Sequence, residues 1–466
     1  MDVFRIERDL IGELKIPNEA YFGINTARAI GNFSVSGRTT NRNLILAMVL
    51  IKKAAAQVNG QLKELPPERA YAIEQACDEI LAGSLANQFV TDALQGGAGT
   101  SAHMNVNEVV ANRALEILGH PKGAYEFLHP LNDVNHSQST NDVYPTALRI
   151  AAIRQLRELA QAFADLQEAF QDKENQFSNV LKLGRTQTMD ALPMMLGQEF
   201  GAWAKALARD RWRLYKVEER LRQMNIGGTA IGTGMNATHS FIFKMTDALQ
   251  DLTGIGLARS EFSIDPTQNM DVFVEVSGFL KAAAVNLIKI SSDLRLLNSG
   301  PRGGLGEITL PEVQAGSTIM PGKVNPVMAE MIGQVAMKVI ANDGAITVAA
   351  MSGQLELNAF VPLIADSLLE SMEILTRGVQ LFKGRCIEGI EANPETCLSH
   401  LERSTALATA LVHHIGYDEA AALAKESLKT GKTIRELVLA QGSLTEEQLN
   451  KILNPHQITN PGIPGK

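Results

Sequence analysis

Apolar residues along the middle of this chain recur at alternating steps of three and four. They do so at Phe273, Val276, Leu280, Ala283, Leu287, Ile290, Leu294 and Leu297, at Leu156, Leu159, Phe163, Leu166 and Phe170, and at Leu196, Phe200, Trp203 and Leu207. That spacing lays one apolar seam along a helix, the pattern of long helices packed at shallow angles. The first run stops at Asn298-Ser299-Gly300-Pro301, a strong helix terminator. Long helices bury more than one stripe only with several neighbours. The spacing therefore predicts a mainly α protein around a central long-helix bundle completed between subunits, with a bundle closed within one monomer as the alternative.

On either side of the seams the elements are shorter. Helices are predicted over 41–59, over 68–81 between Pro66-Pro67 and Gly83, and from about 105 to 118 after a loop made by Gly96, Gly97 and Gly99. Residues up to about 33 show no helical period, and short hairpins are expected there and over 227–233. Pro394, Gly416, Gly431 and Gly442 break the last third into short helices, one opened by a cap within Ser443-Leu444-Thr445-Glu446-Glu447. Three domains are expected: an N-terminal mostly helical one over 1–138, the central bundle over 139–390, and a small helical one over 391–466.

Composition narrows the partners. The 466 residues carry a net charge of −8 without a basic patch, which argues against nucleic acid. Three scattered cysteines, Cys77, Cys386 and Cys397, suit neither a disulfide framework nor a zinc site. The opening MDVFRIERDL lacks the apolar core of a signal peptide, and Lys, Asn, Asp or Glu break the most apolar helices, so no membrane span is expected. A cytoplasmic protein acting on a small molecule is the expectation.

Four polar segments stand at the predicted ends of long helices. They are Gly99-Thr100-Ser101, Ser137-Gln138-Ser139-Thr140-Asn141-Asp142, Gly184-Arg185-Thr186-Gln187, and QAGSTIMPGKVNPV from Gln314 to Val327. Any one of them is also what helix capping or a surface loop produces. Together with Lys323, their donors suit a small dicarboxylate. His103 and His136 lack metal-ligand spacing and are read as exposed or packing residues, and no metal site is predicted.

The stretch from Gly316 to Pro326, GSTIMPGKVNP, resembles the fumarase/aspartase superfamily signature GSSxMPxKxNP, with Thr318 in place of the second serine. GGAGTSxxMNxNEVxAN, QSTND, GRTQxxDAxPMxLGQEF, GGTAIGTGMN and SGPRxGLxEI are similar to blocks of its aspartase branch, so the resemblance covers nearly the whole chain. It implies the superfamily's three-domain fold and a homotetramer in which each active site is built from three subunits. It also implies β-elimination that releases fumarate, with no organic cofactor and with metal activation left open. By matching motif position, Ser317 is the general base, supported by backbone N–H groups around Ile319 and Met320. Thr100, Ser139, Thr140 and Thr318 hold the β-carboxylate and its aci form. Lys323, Asn325 and Thr186 grip the α-carboxylate, Asn141 and Gln187 meet the amino group, and the Gly-rich loop closes over substrate.

The leaving group is legible at one position. Fumarases usually read GRTH where this chain reads GRTQ, Gly184 to Gln187. Expelling hydroxide needs an acid, which histidine supplies and glutamine does not. An ammonium already carries its proton. Gln187 thus favours ammonia, and L-aspartate as substrate, over the alternative of malate dehydration by a fumarate hydratase. A lyase fold retained as a non-catalytic structural protein is the third reading, opposed by the intact Ser317, Lys323 and Asn325. The chain departs from the family in His103, where Asn is frequent, in His136 and Asp133, and in Val412-His413 before His414-Ile415-Gly416-Tyr417.

Overall fold

Five helices dominate the chain: Thr140–Gln176, Leu196–Leu221, Asp271–Leu297, Val327–Met351 and Val361–Phe382. The structure is a computed structural model that describes residues 3–466. Every residue of the three seams is buried, none more than 5 % exposed. The fold is mainly α, as the spacing predicts, and the strands form two-stranded pairs only among the described residues. None of the described helices is long and apolar enough to cross a membrane.

The chain divides into two units. The first is Met1–Ala160, Trp212–Ala282 and Lys338–Leu375; the second is Gln161–Arg211, Ala283–Met337 and Thr376–Lys466. The chain passes between them within the five long helices.

In the first unit the expected N-terminal hairpin is present, Phe4–Asp9 antiparallel to Gly12–Pro17. Asp9 closes its turn by accepting from the N–H groups of Ile11 and Gly12. The helices Arg42–Gln61, Pro67–Leu81 and Thr100–Ile117 pack on one another. The segment before residue 33 also contains a helix, Ile24–Asn32, which the sequence pattern does not reveal. Its N-terminus is satisfied from outside: the buried Glu108 carboxylate accepts from the N–H groups of Gly23, Asn25 and Thr26 and from the Thr26 hydroxyl. A helix whose first turn is capped by a residue from a distant helix carries no local start signal.

Two further expectations need correction. The helix expected from about 105 begins at Thr100, because Gly99 makes the turn at once with φ +93°. A Cβ there would lie 2.2 Å from the buried Tyr144 ring, so only glycine fits. Residues 227–233 form turns and no hairpin. Their chain coils through positive φ at Gly227, Thr229 and Gly232, and the N–H groups of Gly227 and Thr229 donate to Asp142 in place of a facing strand.

The second unit contains a hairpin not apparent in the sequence, Leu181–Thr186 antiparallel to Met189–Met195. Thr186 and Met189 pair across a two-residue turn in which Gln187 has φ +53° and Thr188 +63°. Two positive φ values define the turn that suits strand twist, but its usual Asn-Gly signal is missing. The C-terminal helices close over Leu401, Leu411, Leu423, Ile434, Val438 and Leu449, with Leu183 of the hairpin among them. Thr433 with Glu436 and Thr445 with Gln448 form capping boxes, the second within the segment predicted as a cap.

The hairpin base is tied by charge. Glu307 is fully buried and meets Lys182 Nζ at 3.0 Å, an Arg185 guanidinium nitrogen at 2.7 Å and His400 Nδ1 at 2.9 Å. Burial alone would raise the Glu307 carboxyl; the Lys182 charge and the hydrogen bonds from His400, Arg185 and Lys182 outweigh it and hold the group below its ordinary value of 4.5. A depressed carboxyl contributes stability that is present above the ordinary value and is lost as pH falls through the folded one. Replacement of Glu307 by Gln should therefore destabilise the protein by about 2–3 kcal/mol near neutral pH, below the ~3–5 kcal/mol of a fully buried broken pair, because the half-buried Arg185 loses this carboxylate while the buried Lys182 keeps Glu199 at 2.8 Å. In urea titrations the deficit should shrink as pH falls below about 4.5; a pH-independent deficit would contradict the ion cluster.

Candidate active site

In the first unit the proposed substrate-binding residues cluster at two helix N-termini. Thr100 opens Thr100–Ile117, where it is exposed and its hydroxyl donates to the Gly97 carbonyl at 2.7 Å. Thr140 and Asn141 open Thr140–Gln176. Ser139 precedes them as a cap: its hydroxyl oxygen accepts from the Asn141 N–H at 3.3 Å, and Asp142 reaches back to the Ser139 N–H at 2.9 Å. The capping expected of these residues is thus real, and it leaves the Thr140 side chain out of the cap. The Asn141 amide donates to the Ala230 carbonyl at 2.7 Å and Asp142 accepts from Gly227 and Thr229, so the GGTAIGTG turn is docked on the start of this helix. Burial pushes the Asp142 carboxyl up to about 6 against these three backbone N–H donors.

Behind Thr140 stands a polar network around two buried residues, Lys52 and His103, with Asn135 and Gln138 half-buried. Lys52 Nζ lies 2.6 Å from His103 Nε2, 2.9 Å from Asn135 Oδ1 and 2.9 Å from Gln138 Oε1. His103 Nδ1 lies 2.7 Å from Thr140 Oγ1. His103 is therefore neither exposed nor a packing residue, as the sequence suggested; it is hydrogen-bonded at both ring nitrogens. His136 is half-buried, its Nδ1 facing the Asn132 carbonyl. Lys52 does not stand out in the sequence, although a signal exists: it falls on the Met48, Ala55 and Asn59 stripe of a helix buried along most of its length. Among the described residues, no group of three or more His, Cys, Asp or Glu is arranged to hold a metal ion.

The second unit carries the other proposed residues. The 314–327 loop runs into the N-terminus of Val327–Met351. Gly316 N–H donates to the Lys323 carbonyl at 2.8 Å and the Asn325 amide donates to the Gly316 carbonyl at 2.6 Å, which closes the loop on itself. A Cβ on Gly316 would come within 2.6 Å of the Asn325 nitrogen. Inside that closure Ser317 Oγ accepts from the N–H groups of Ile319 at 3.2 Å and Met320 at 2.7 Å. These two donors stabilise negative charge on that oxygen. Ser317 and Asn325 are half-buried; Thr318, Ile319, Met320 and Lys323 are exposed, Ile319 at 83 %. Thr186 and Gln187 do not sit at a helix end. They occupy the exposed tip of the hairpin, held at its base by Glu307.

Each unit therefore holds its own set: Thr100, Ser139, Thr140 and Asn141 in the first, and Thr186, Gln187, Ser317, Thr318, Ile319, Met320, Lys323 and Asn325 in the second. The first set offers hydroxyls at positive helix ends and the second a serine with charge-stabilising N–H groups, a lysine and amides.

Residues 12–341 match the family described as Lyase, and residues 407–460 match the one described as Fumarase C C-terminus. The chain is 46% identical to an aspartate ammonia-lyase of Bacillus subtilis over 99% of its length and 98% of the relative's. It is 47% identical to an aspartate ammonia-lyase of Pseudomonas aeruginosa, covering 98% of both chains. Among solved structures, a fumarate lyase:delta crystallin from Brucella melitensis bound to cobalt superposes with a TM-score of 0.96 at 49% identity, over 98% of this chain and 100% of that one. A class II fumarase from Schistosoma mansoni gives 0.94 at 32% identity, over 98% and 99% of the two chains.

Proposed function

The chain belongs to the fumarase/aspartase family of lyases, and on that premise we propose that it is an aspartate ammonia-lyase, a carbon–nitrogen lyase that converts L-aspartate to fumarate and ammonia. The observation that carries this is identity of 46–47% to aspartate ammonia-lyases along essentially the whole chain, against 32% to the class II fumarase. Gln187 supports it, since a glutamine cannot protonate a departing hydroxide.

Ser317, as alkoxide, takes the Cβ proton. The electrons pass into the β-carboxylate, which becomes a doubly charged aci form, and then expel the amine as neutral ammonia. A serine oxygen is a poor base unless its negative charge is stabilised. The N–H groups of Ile319 and Met320, already directed at Ser317 Oγ, supply that stabilisation. Thr100, Ser139, Thr140 and Thr318 hold the β-carboxylate and gain strength as its charge doubles, so they lower the barrier and not merely the Michaelis constant. Lys323, Asn325 and Thr186 take the α-carboxylate; Asn141 and Gln187 receive the amino group. Thr100, Asn141 and Asn325 donate to backbone carbonyls, bonds that substrate binding exchanges for its own. Nothing in this sequence of steps transfers electrons to or from a carrier, which fits a reaction run without an organic cofactor.

We further assign a homotetramer with active sites shared between subunits. Val327–Met351 supports it: Ile332, Ala336, Val339 and Ile346 are buried, yet Met337, Val348 and Met351 on the same helix are 58–76% exposed. Apolar residues on several sides of one helix call for partners on several sides. The free, buried Cys77, Cys386 and Cys397 suit a reducing, cytoplasmic setting, and the net charge of −8 suits no nucleic-acid partner. The division at 138/139 and 390/391 belongs to the same reading.

Fumarate formation followed by ultraviolet absorbance, with L-aspartate and L-malate supplied in parallel, tests the assignment. Turnover of aspartate alone is expected. Turnover of malate alone would make the protein a fumarate hydratase and remove the argument from Gln187.

A further inference from the structure

Lys52 and His103 have no place in the steps above, yet these two buried residues form a polar chain that ends on the half-buried Thr140, a proposed substrate-binding hydroxyl. An ammonium has three hydrogens and no lone pair. Lys52 Nζ has three close polar neighbours, Asn135 Oδ1, Gln138 Oε1 and His103 Nε2. The two amide oxygens can only accept. His103 Nε2 must then accept the third hydrogen, which leaves the single imidazole proton on Nδ1. Nδ1 faces Thr140 Oγ1 at 2.7 Å, so Thr140 receives that hydrogen. Among the described residues, Thr140 Oγ1 has no other hydrogen-bond partner, and its own hydrogen remains available to a ligand.

We propose that Lys52 and His103 are positioning residues that fix the polarity of Thr140, so that its hydroxyl is held as a donor toward the carboxylate of the substrate. The proposal rests on the reading of Thr140 as a carboxylate-binding residue. With the ring reversed or absent, the Thr140 hydroxyl could turn its hydrogen inward and present a lone pair to an anion. The charge states agree with this direction. Burial, reinforced by the Lys52 charge, pushes the His103 pKa well below its ordinary value, so the ring is neutral and carries one proton. Burial lowers Lys52 to about 7 against the opposing pull of Asp142 and of Cys77, so this polarity belongs to the pH range in which Lys52 is the ammonium and the test is run on the acid side of neutrality.

Two substitutions separate the two ends of the relay. In His103→Gln the amide sits where Nε2 was, so Lys52 keeps an acceptor and Thr140 loses its donor. In His103→Asn the amide sits where Nδ1 was and can still donate to Thr140. The readout is the inhibition constant of succinate, a dicarboxylate that cannot eliminate, at pH 6.5, for these variants, Thr140→Val and the double variant His103→Gln/Thr140→Val. Thr140→Val and His103→Gln should each weaken succinate by about 10-fold, the scale of one hydrogen bond to a charged group. His103→Asn should stay within about 3-fold of the native protein, and the double variant should be no weaker than Thr140→Val alone. If Thr140→Val leaves succinate binding unchanged, the carboxylate role of Thr140 fails and the relay with it. If Thr140→Val weakens binding but His103→Gln does not, or if the two effects add, the relay is overturned and the role of Thr140 stands. A measurement on the native protein needs no variant: the 15N shifts of His103 should place its proton on Nδ1, and a proton on Nε2 would overturn the proposal.

Discussion

A helix cannot pair the first four of its own N–H groups, and the charge left there is positive. This chain puts its polar segments at such ends. Thr100 opens one helix, Ser139 to Asn141 open another, and the loop around Ser317 runs into a third. The seam of Leu156 to Phe170 fixes the helix that Ser139 to Asn141 open, and the backbone N–H groups at such ends are directed along the helix axis without reorganisation. For a reaction whose difficult species is a doubly charged carboxylate, that arrangement supplies stabilisation where the charge grows.

The hairpin tip is the exception, and its cost is visible. Thr188, a β-branched residue, sits at φ +63°, and Gln187 beside it at +53°. Such backbone strain costs on the order of 1–3 kcal/mol per residue and persists only where the surroundings impose it. The surroundings that impose it are the Glu307 ion cluster and the C-terminal core that includes Leu183. In the proposed reaction, strain at the tip aims Gln187 at the amino group of the substrate, and the buried charges at the base hold the strands that bear it.

The seam helices were legible because their signal is repeated along each of them; the spacing at Phe273 to Leu297 predicts both the helix and its buried face. Boundaries set by one residue were also legible where that residue is local, as at Asn298 to Pro301 or Thr445. What the sequence hid is non-local. Ile24–Asn32 is capped by Glu108 from another helix, the 181–195 hairpin turns on Gln-Thr in place of Asn-Gly, and the 227–233 segment takes its partners from Asp142. The candidate site was readable as residue types through the family signature, down to the N–H groups of Ile319 and Met320 directed at Ser317. Lys52 behind His103 was not, because a buried lysine in an apolar run reads as an interruption until its three acceptors are seen.

The proposed chemistry needs a site completed by different subunits, with the Ser139 to Asn141 set contributed by one and the Ser317 loop by another. Its most direct test is complementation. Ser317→Ala and the double variant Ser139→Ala/Thr140→Val are each expected to be inactive. Co-expressed with different tags and purified as hybrids carrying both, they should regain aspartate turnover, because some sites then draw both sets from undamaged chains. Hybrids that assemble to the native size but remain as inactive as either parent would show that one chain supplies both sets, and would contradict the shared site.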